Sequence, residues 1–155
     1  MSQDQEVLRW LSIMQRFCAY QERSSFEVRK KLSLKKASSS QIEYIIQELQ
    51  QGNYLNDTRF AHAYVEGKSN IKRWGKSKII AGLRSHQISS SVIEKAIAGL
   101  TKEQTKAHLL KWHQKKSAAL SSEANGPKKQ AKIIRFLQSK GFNLDEILSV
   151  VNPTE

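Results

Sequence analysis

Cysteine occurs once in this 155-residue chain, at Cys18, so no internal disulfide can form. A reducing compartment is the simplest inference, and the cytoplasm is the expected location. Only 2 prolines and 7 glycines interrupt the chain, which leaves room for long helices. No apolar run approaches the roughly 20 residues that a membrane-spanning helix needs. The opening "MSQDQEVLRW" is polar and no apolar stretch follows it, so neither a signal peptide nor membrane attachment is expected. Acids are scarce as well: 14 Asp and Glu stand against 26 Lys and Arg, for a net charge of +12. The excess is not a tail. Residues 1–50 hold 8 basic and 6 acidic groups, residues 51–100 hold 8 and 3, and residues 101–155 hold 10 and 5. Such a field favours a polyanionic partner: nucleic acid, an anionic membrane or an acidic protein surface.

Catalytic chemistry finds little to stand on. His62, His86, His108 and His113 have no metal-ligand spacing, and one cysteine cannot build a zinc site. There is no HExxH, glycine-rich phosphate loop or GxSxG elbow, and the carboxylates are scattered. No cofactor and no enzymatic activity are expected.

What the chain does contain is helical periodicity. Val7, Leu8, Trp10, Leu11, Met14, Phe17 and Cys18 recur at spacings of three and four, one face of a helix, and Cys18 on that face reads as buried core. Convincing strand alternation is absent. An internal repeat then emerges. Val28, Leu32, Ala37, Ile42, Ile46 and Leu49 step by 4, 5, 5, 4 and 3 residues, and Ile79, Leu83, Ile88, Ile93, Ile97 and Leu100 step identically. Ile133, Leu137, Phe142, Ile147 and Val151 follow the first four steps, and the series fails at Thr154. Inside each copy, "KASSSQ", "QISSSV" and "GFNLDE" place Ser38, Ser89 or Asn143 where an oxygen can cap a second helix. Gln41 and Glu146 complete capping boxes; in the middle copy Ser91 and Glu94 offer a box two residues later. A further helix precedes each pair, at about 5–22, 57–70 and 102–119. The expected fold is all-α: an elongated, curved array of three tandem three-helix repeats, 1–53, 54–100 and 101–155. Asn125-Gly126-Pro127 must break the third copy and is the expected flexible point.

Between the first and second copies lies "NYLNDTRFAHAYV". Gly52 suits a left-handed helix end. Asn56 suits an N-cap, with Asp57 favoured at the positive end of the helix dipole. Leu55 and Phe60 then occupy the two positions of a hydrophobic staple, and Tyr64 extends the apolar contact. The segment therefore reads as a structural joint built on Tyr54, Leu55, Asn56, Asp57 and Phe60, with Gly75 marking a second break.

These same residues resemble the signature of the RecX family of bacterial recombination regulators. Tyr54, Leu55, Asn56, Asp57, Arg59, Phe60 and Ala61 match its first part. Arg73, Gly75, Ile79, Leu83 and Ile88 match its second, with Gln87 where glycine is common. The match is specific over Tyr54 to Leu100 and weaker in the third copy. The resemblance implies a protein that binds the RecA recombinase filament on single-stranded DNA, and through it or directly the DNA itself. It further implies inhibition of strand exchange, ATP hydrolysis and co-protease activity, by a chain expected to be monomeric and not itself an enzyme.

The positive charge offers two candidate contact regions. Lys68, Lys72, Arg73, Lys76, Lys78 and Arg84 form a central stripe, with Lys68, Lys72 and Lys76 spaced by four. Lys111, Lys115, Lys116, Lys128, Lys129, Lys132 and Arg135 cluster around the third copy's long connection, as a mobile edge seeking phosphates. Trp74 is expected to pack under the joint at Gly75 rather than stack on a base. Two rival readings remain: a helical module that binds DNA without sequence preference, and a helical scaffold for another protein. The second helices "QIEYIIQELQ" and "SVIEKAIAGL" lack the Arg, Asn and Gln that read base edges, which argues against sequence-specific recognition.

Overall fold

The computed structural model describes residues 2–151, and every regular element among them is helical. The nine helices are α1 (Gln3–Tyr20), α2 (Ser25–Leu34), α3 (Ser39–Gln51), α4 (Asp57–Asn70), α5 (Lys76–Ser85), α6 (Ser90–Ile97), α7 (Lys102–Ala119), α8 (Pro127–Ser139) and α9 (Leu144–Val151). Thr154 lies outside the described residues. Five of the helices begin with reciprocal capping boxes, at Ser2/Gln5, Ser24/Glu27, Ser38/Gln41, Thr101/Gln104 and Asn143/Glu146. Each such cap contributes about 0.5–2 kcal/mol by satisfying amide groups that the helix cannot. In the middle repeat Ser89 takes the N-cap position without a side-chain bond to a helix amide, and Ser91 lies inside α6, so the box at Ser91 and Glu94 does not form.

The repeat's five-residue steps have a geometric cause. After α2, α5 and α8 the chain turns through a left-handed residue: Lys36 (φ 65°), Gln87 (φ 56°) and Gly141 (φ 103°). The next amide then donates back to a carbonyl five residues earlier: Ala37 to Leu32, Ile88 to Leu83 and Phe142 to Leu137, at 3.2, 3.1 and 3.4 Å. This is the Schellman helix ending, whose two bonded residues also make an apolar contact. The sequence series therefore marks three equivalent turns, 51 and 54 residues apart. Gly52 does not take the left-handed place after α3. Its φ is −80°, and Asn53 (φ 62°) turns the chain, with the Tyr54 amide returning to the Leu49 carbonyl at 2.9 Å. Asparagine tolerates this conformation better than other non-glycine residues.

The buried side chains divide into three cores, one per repeat. Trp10, Met14, Cys18, Val28, Leu32, Ile45, Ile46, Leu49 and Leu55 form the first. Phe60, Ala61, Val65, Ile79, Leu83, Ile88, Ile93 and Ala96 form the second, and Leu109, Ile133, Leu137, Phe142 and Ile147 the third. Leu55 and Phe60 belong to different cores, so they do not act as one staple but anchor the N-terminus of α4 in both the first and the second core. The helix pairs that pack most extensively all lie within one repeat. The repeats are consequently joined by small sets of specific contacts, and the two joints are chemically unlike each other.

The first joint is made largely by polar side chains. Asp57, at the start of α4, accepts from the Ser25 amide at 2.7 Å and from the Ser25 hydroxyl. Arg59 Nε lies 2.7 Å from both carboxylate oxygens of Glu22, and its other nitrogens reach the Asn53 side chain and the Asn53 and Tyr54 carbonyls. His86 sits against the rings of Phe26, Phe60 and Tyr64, with Nε2 3.7 Å from Glu27. The second joint is mostly backbone. The Gly75 amide donates to the Lys140 carbonyl at 2.7 Å and the Ser77 amide to the Gly141 carbonyl at 3.1 Å. Amides that α5 leaves free at its N-terminus are thereby satisfied by carbonyls just past the end of α8. The approach is so close that a Cβ on Gly75 would stand 2.4 Å from the Gly141 oxygen.

Candidate nucleic-acid and partner interface

The central stripe is not one helix face. α4 stops at Asn70, Arg73 turns the chain with a φ of 54°, and α5 starts at Lys76. Lys68 and Lys78, from the two helices, meet over the ring of Trp74, with their ammonium groups 4.7 and 4.5 Å from its centroid. Lys78 also reaches the Ser139 carbonyl of the third repeat at 3.4 Å. Trp74 itself is half-buried against the second core. Lys72 and Arg84 are exposed. Lys76 is exposed and lines a cleft of about 460 Å³ between the second and third repeats, shared with Lys102, Lys106, Asp145 and Glu146.

The Arg73 carbonyl accepts the indole N–H of Trp112 at 2.8 Å, which ties α7 to the turn before α5. Beside it, burial lowers the pKa of His108 below the usual imidazole value, and the charges of Arg73 and Lys111 lower it further. Trp112 and Phe136 meet edge to face, with centroids 5.8 Å apart. Lys140 lies over both rings, at 4.4 and 5.3 Å, while Lys115 covers Trp112 and Lys116 covers Phe136. A succession of rings and ammonium groups thus crosses the second joint, from Lys68 and Trp74 through Lys78 to Lys140, Trp112 and Phe136. The sequence signal for it was the placement of Lys115 and Lys116 one turn after Trp112; Lys140 and Phe136 join only through the packing of α8 on α7.

The rest of the second cluster behaves differently. Lys132 pairs with Glu123 at 2.5 Å, which lowers the Glu123 pKa, and Lys129 reaches the Glu123 carbonyl and the Asn125 side chain. These bonds lie along the connection between α7 and α8. Lys111, Lys128 and Arg135 are exposed. Among the described residues, three Lys or Arg side chains stand in ion pairs with carboxylates: Arg29, Arg59 and Lys132. None of the six stripe residues is among them, so the field around the second joint is uncompensated by direct pairing. No group of three or more His, Cys, Asp or Glu fit to hold a metal occurs among the described residues, and no helix there is long and apolar enough to cross a membrane.

Comparison with known proteins gives this arrangement a family. Residues 56–97 match the model of the second three-helix domain of RecX, and residues 103–151 match that of the third. The chain belongs to the RecX family. The regulatory protein RecX of Clostridium botulinum strain Alaska E43 is 36% identical over 126 residues, covering 81% of this chain and 58% of the relative. This chain thus spans little more than half the length of that protein. The regulatory protein RecX of Herminiimonas arsenicoxydans is 28% identical over 140 residues and comparable in length, with 90% of this chain and 89% of the relative aligned. The crystal structure of RecX from Lactobacillus salivarius superposes with a TM-score of 0.82 at 24% identity, covering 96% of both chains. A second crystal structure of a regulatory protein RecX gives 0.84 at 22% identity. These likenesses establish an all-α helical repeat fold.

Proposed function

We propose that this RecX-family chain binds the RecA recombinase filament on single-stranded DNA and restrains its ATP hydrolysis, strand exchange and co-protease activity. It would thereby modulate DNA repair and the SOS response in the cytoplasm. It acts as a monomer and by binding, not by catalysis. Family membership carries this reading, and the uncompensated positive field around the second joint supports it. An array whose units are 1–53, 54–100 and 101–155 offers an extended surface to a helical filament, and its lysines suit both phosphates and acidic protein. Contacts come from Lys68, Lys72, Arg73, Lys76, Lys78 and Arg84.

Sedimentation with preformed RecA–DNA filaments tests it. Wild-type chain is expected to pellet with the filament at stoichiometries well below one per DNA site, and a variant with Lys72, Arg73, Lys76 and Lys78 changed to glutamine to remain in the supernatant. Failure of the wild type to co-sediment with filament, while it binds bare DNA, would favour the non-specific DNA module. Equal binding by both proteins would move the interface off the stripe.

A further inference from the structure

Trp112 and Phe136 form an aromatic pair packed on the third core, and lysine ammonium groups lie against each ring. Both side chains are only half-buried. The indole cannot easily follow a moving lysine, because its N–H is bonded to the Arg73 carbonyl of the preceding repeat. Lysine on its flexible stem is free to swing away; the ring is not.

We propose that the Trp112–Phe136 pair, with Lys115, Lys116 and Lys140, is a binding site for single-stranded nucleic acid, in which an unpaired base stacks on the ring surface and the displaced ammonium groups take the adjoining phosphates. An ammonium over a half-exposed ring is worth about two- to fivefold in an equilibrium. A base stacked on an aromatic side chain is worth roughly five- to 150-fold. Exchanging one for the other is favourable, and the released lysines gain a phosphate. An acidic peptide would satisfy the lysines and leave the rings with nothing better than they had. Duplex DNA offers phosphates but keeps its base faces inside the stack. Only a single strand uses both parts of the site. This inference goes beyond the proposed function: it gives the chain a direct contact with the single strand, at Lys140 and two rings outside the central stripe.

The test omits the recombinase, so that it fails or succeeds separately from filament regulation. Anisotropy of a labelled 20-nucleotide oligothymidylate is compared with that of a duplex of equal length. Wild-type chain is expected to prefer the single strand by at least tenfold. Changing Lys115, Lys116 and Lys140 to glutamine is expected to weaken binding at least tenfold. The salt slope should fall by about 2, since each lost phosphate contact in a single strand removes about 0.7. Changing Trp112 to leucine should cut the preference for single strands by at least about fivefold. Should that variant fail to fold, the intact chain is photocrosslinked to an oligonucleotide bearing 5-iodouracil and the adduct mapped to Trp112 or Phe136. Equal affinity for single and double strands, unchanged binding by the lysine variant, or adducts only elsewhere would each overturn the proposal.

Discussion

Replacing Gly75 with alanine puts a methyl carbon 2.4 Å from the Gly141 oxygen, 2.5 Å from its carbonyl carbon and 2.8 Å from the Phe142 ring. Ordinary contact begins near 3.4 Å, and two of these neighbours are backbone, so the third repeat must retreat by about 1 Å. That retreat strains the two amide bonds of the joint, from Gly75 to Lys140 and from Ser77 to Gly141. Each contributes about 0.5–1.5 kcal/mol net, so opening both costs about 1–3 kcal/mol. Reduced chain entropy in the unfolded state returns only about 0.4–1 kcal/mol. Gly75→Ala should therefore be destabilised by about 1–2 kcal/mol in urea unfolding. Hydrogen exchange should accelerate at the Gly75 and Ser77 amides while the three cores stay protected. Gly67→Ala is the control: it lies inside α4 with open space around it, and should gain about 0.5–1 kcal/mol. A Gly75→Ala protein as stable as wild type, with both amides equally protected, would refute the account of the joint.

Other consequences follow from the same geometry. Asp57→Ala leaves the Ser25 amide and hydroxyl without their acceptor and should cost about 1–3 kcal/mol, read as a lower urea midpoint. Gln87→Gly relieves a left-handed non-glycine residue, whose conformational cost of about 1–2 kcal/mol exceeds the added entropy of glycine. The variant should melt a few degrees higher. Burial raises the Cys18 thiol from 9.0 to about 11, with Arg23 opposing only in part. At pH 8 its thiolate is about a hundredfold scarcer than in the unfolded chain, so a disulfide reagent should label native protein at least a hundredfold more slowly than urea-unfolded protein.

The repeat was legible in the sequence because it is written twice, in apolar spacing and in turn chemistry. Leu32 and Ala37, Leu83 and Ile88, and Leu137 and Phe142 are buried or half-buried pairs that close the same helix ending, so their five-residue steps encode a turn. Helices α4 and α7 fall on 57–70 and 102–119, because Asn56 and Thr101 cap them by side-chain hydrogen bonds. Which of Gly52 and Asn53 turns the chain was not legible, since both residue types tolerate the left-handed region. Nor was the fate of Leu55 and Phe60, whose staple spacing is the same whether they meet or enter separate cores. The lysine spacing at 68, 72 and 76 suggested a continuous stripe, but the turn at Arg73 puts Lys68 on one helix and Lys76 on the next. Gly75 announced a break in the chain without announcing its partner. Gly141 is 66 residues away, and no local pattern links two backbones that touch. Residues brought together across helices, such as Lys140 with Trp112, escape any reading confined to one helix.

The central claim is that this protein restrains a recombinase filament, and DNA-dependent ATP hydrolysis by RecA on single-stranded DNA tests it most directly. With the chain titrated in at fixed salt, the account predicts inhibition complete well below one molecule per DNA site, and its loss when Lys72, Arg73, Lys76 and Lys78 are neutralised. Hydrolysis that is undiminished, or that falls only once the DNA itself is saturated with the protein, would contradict it.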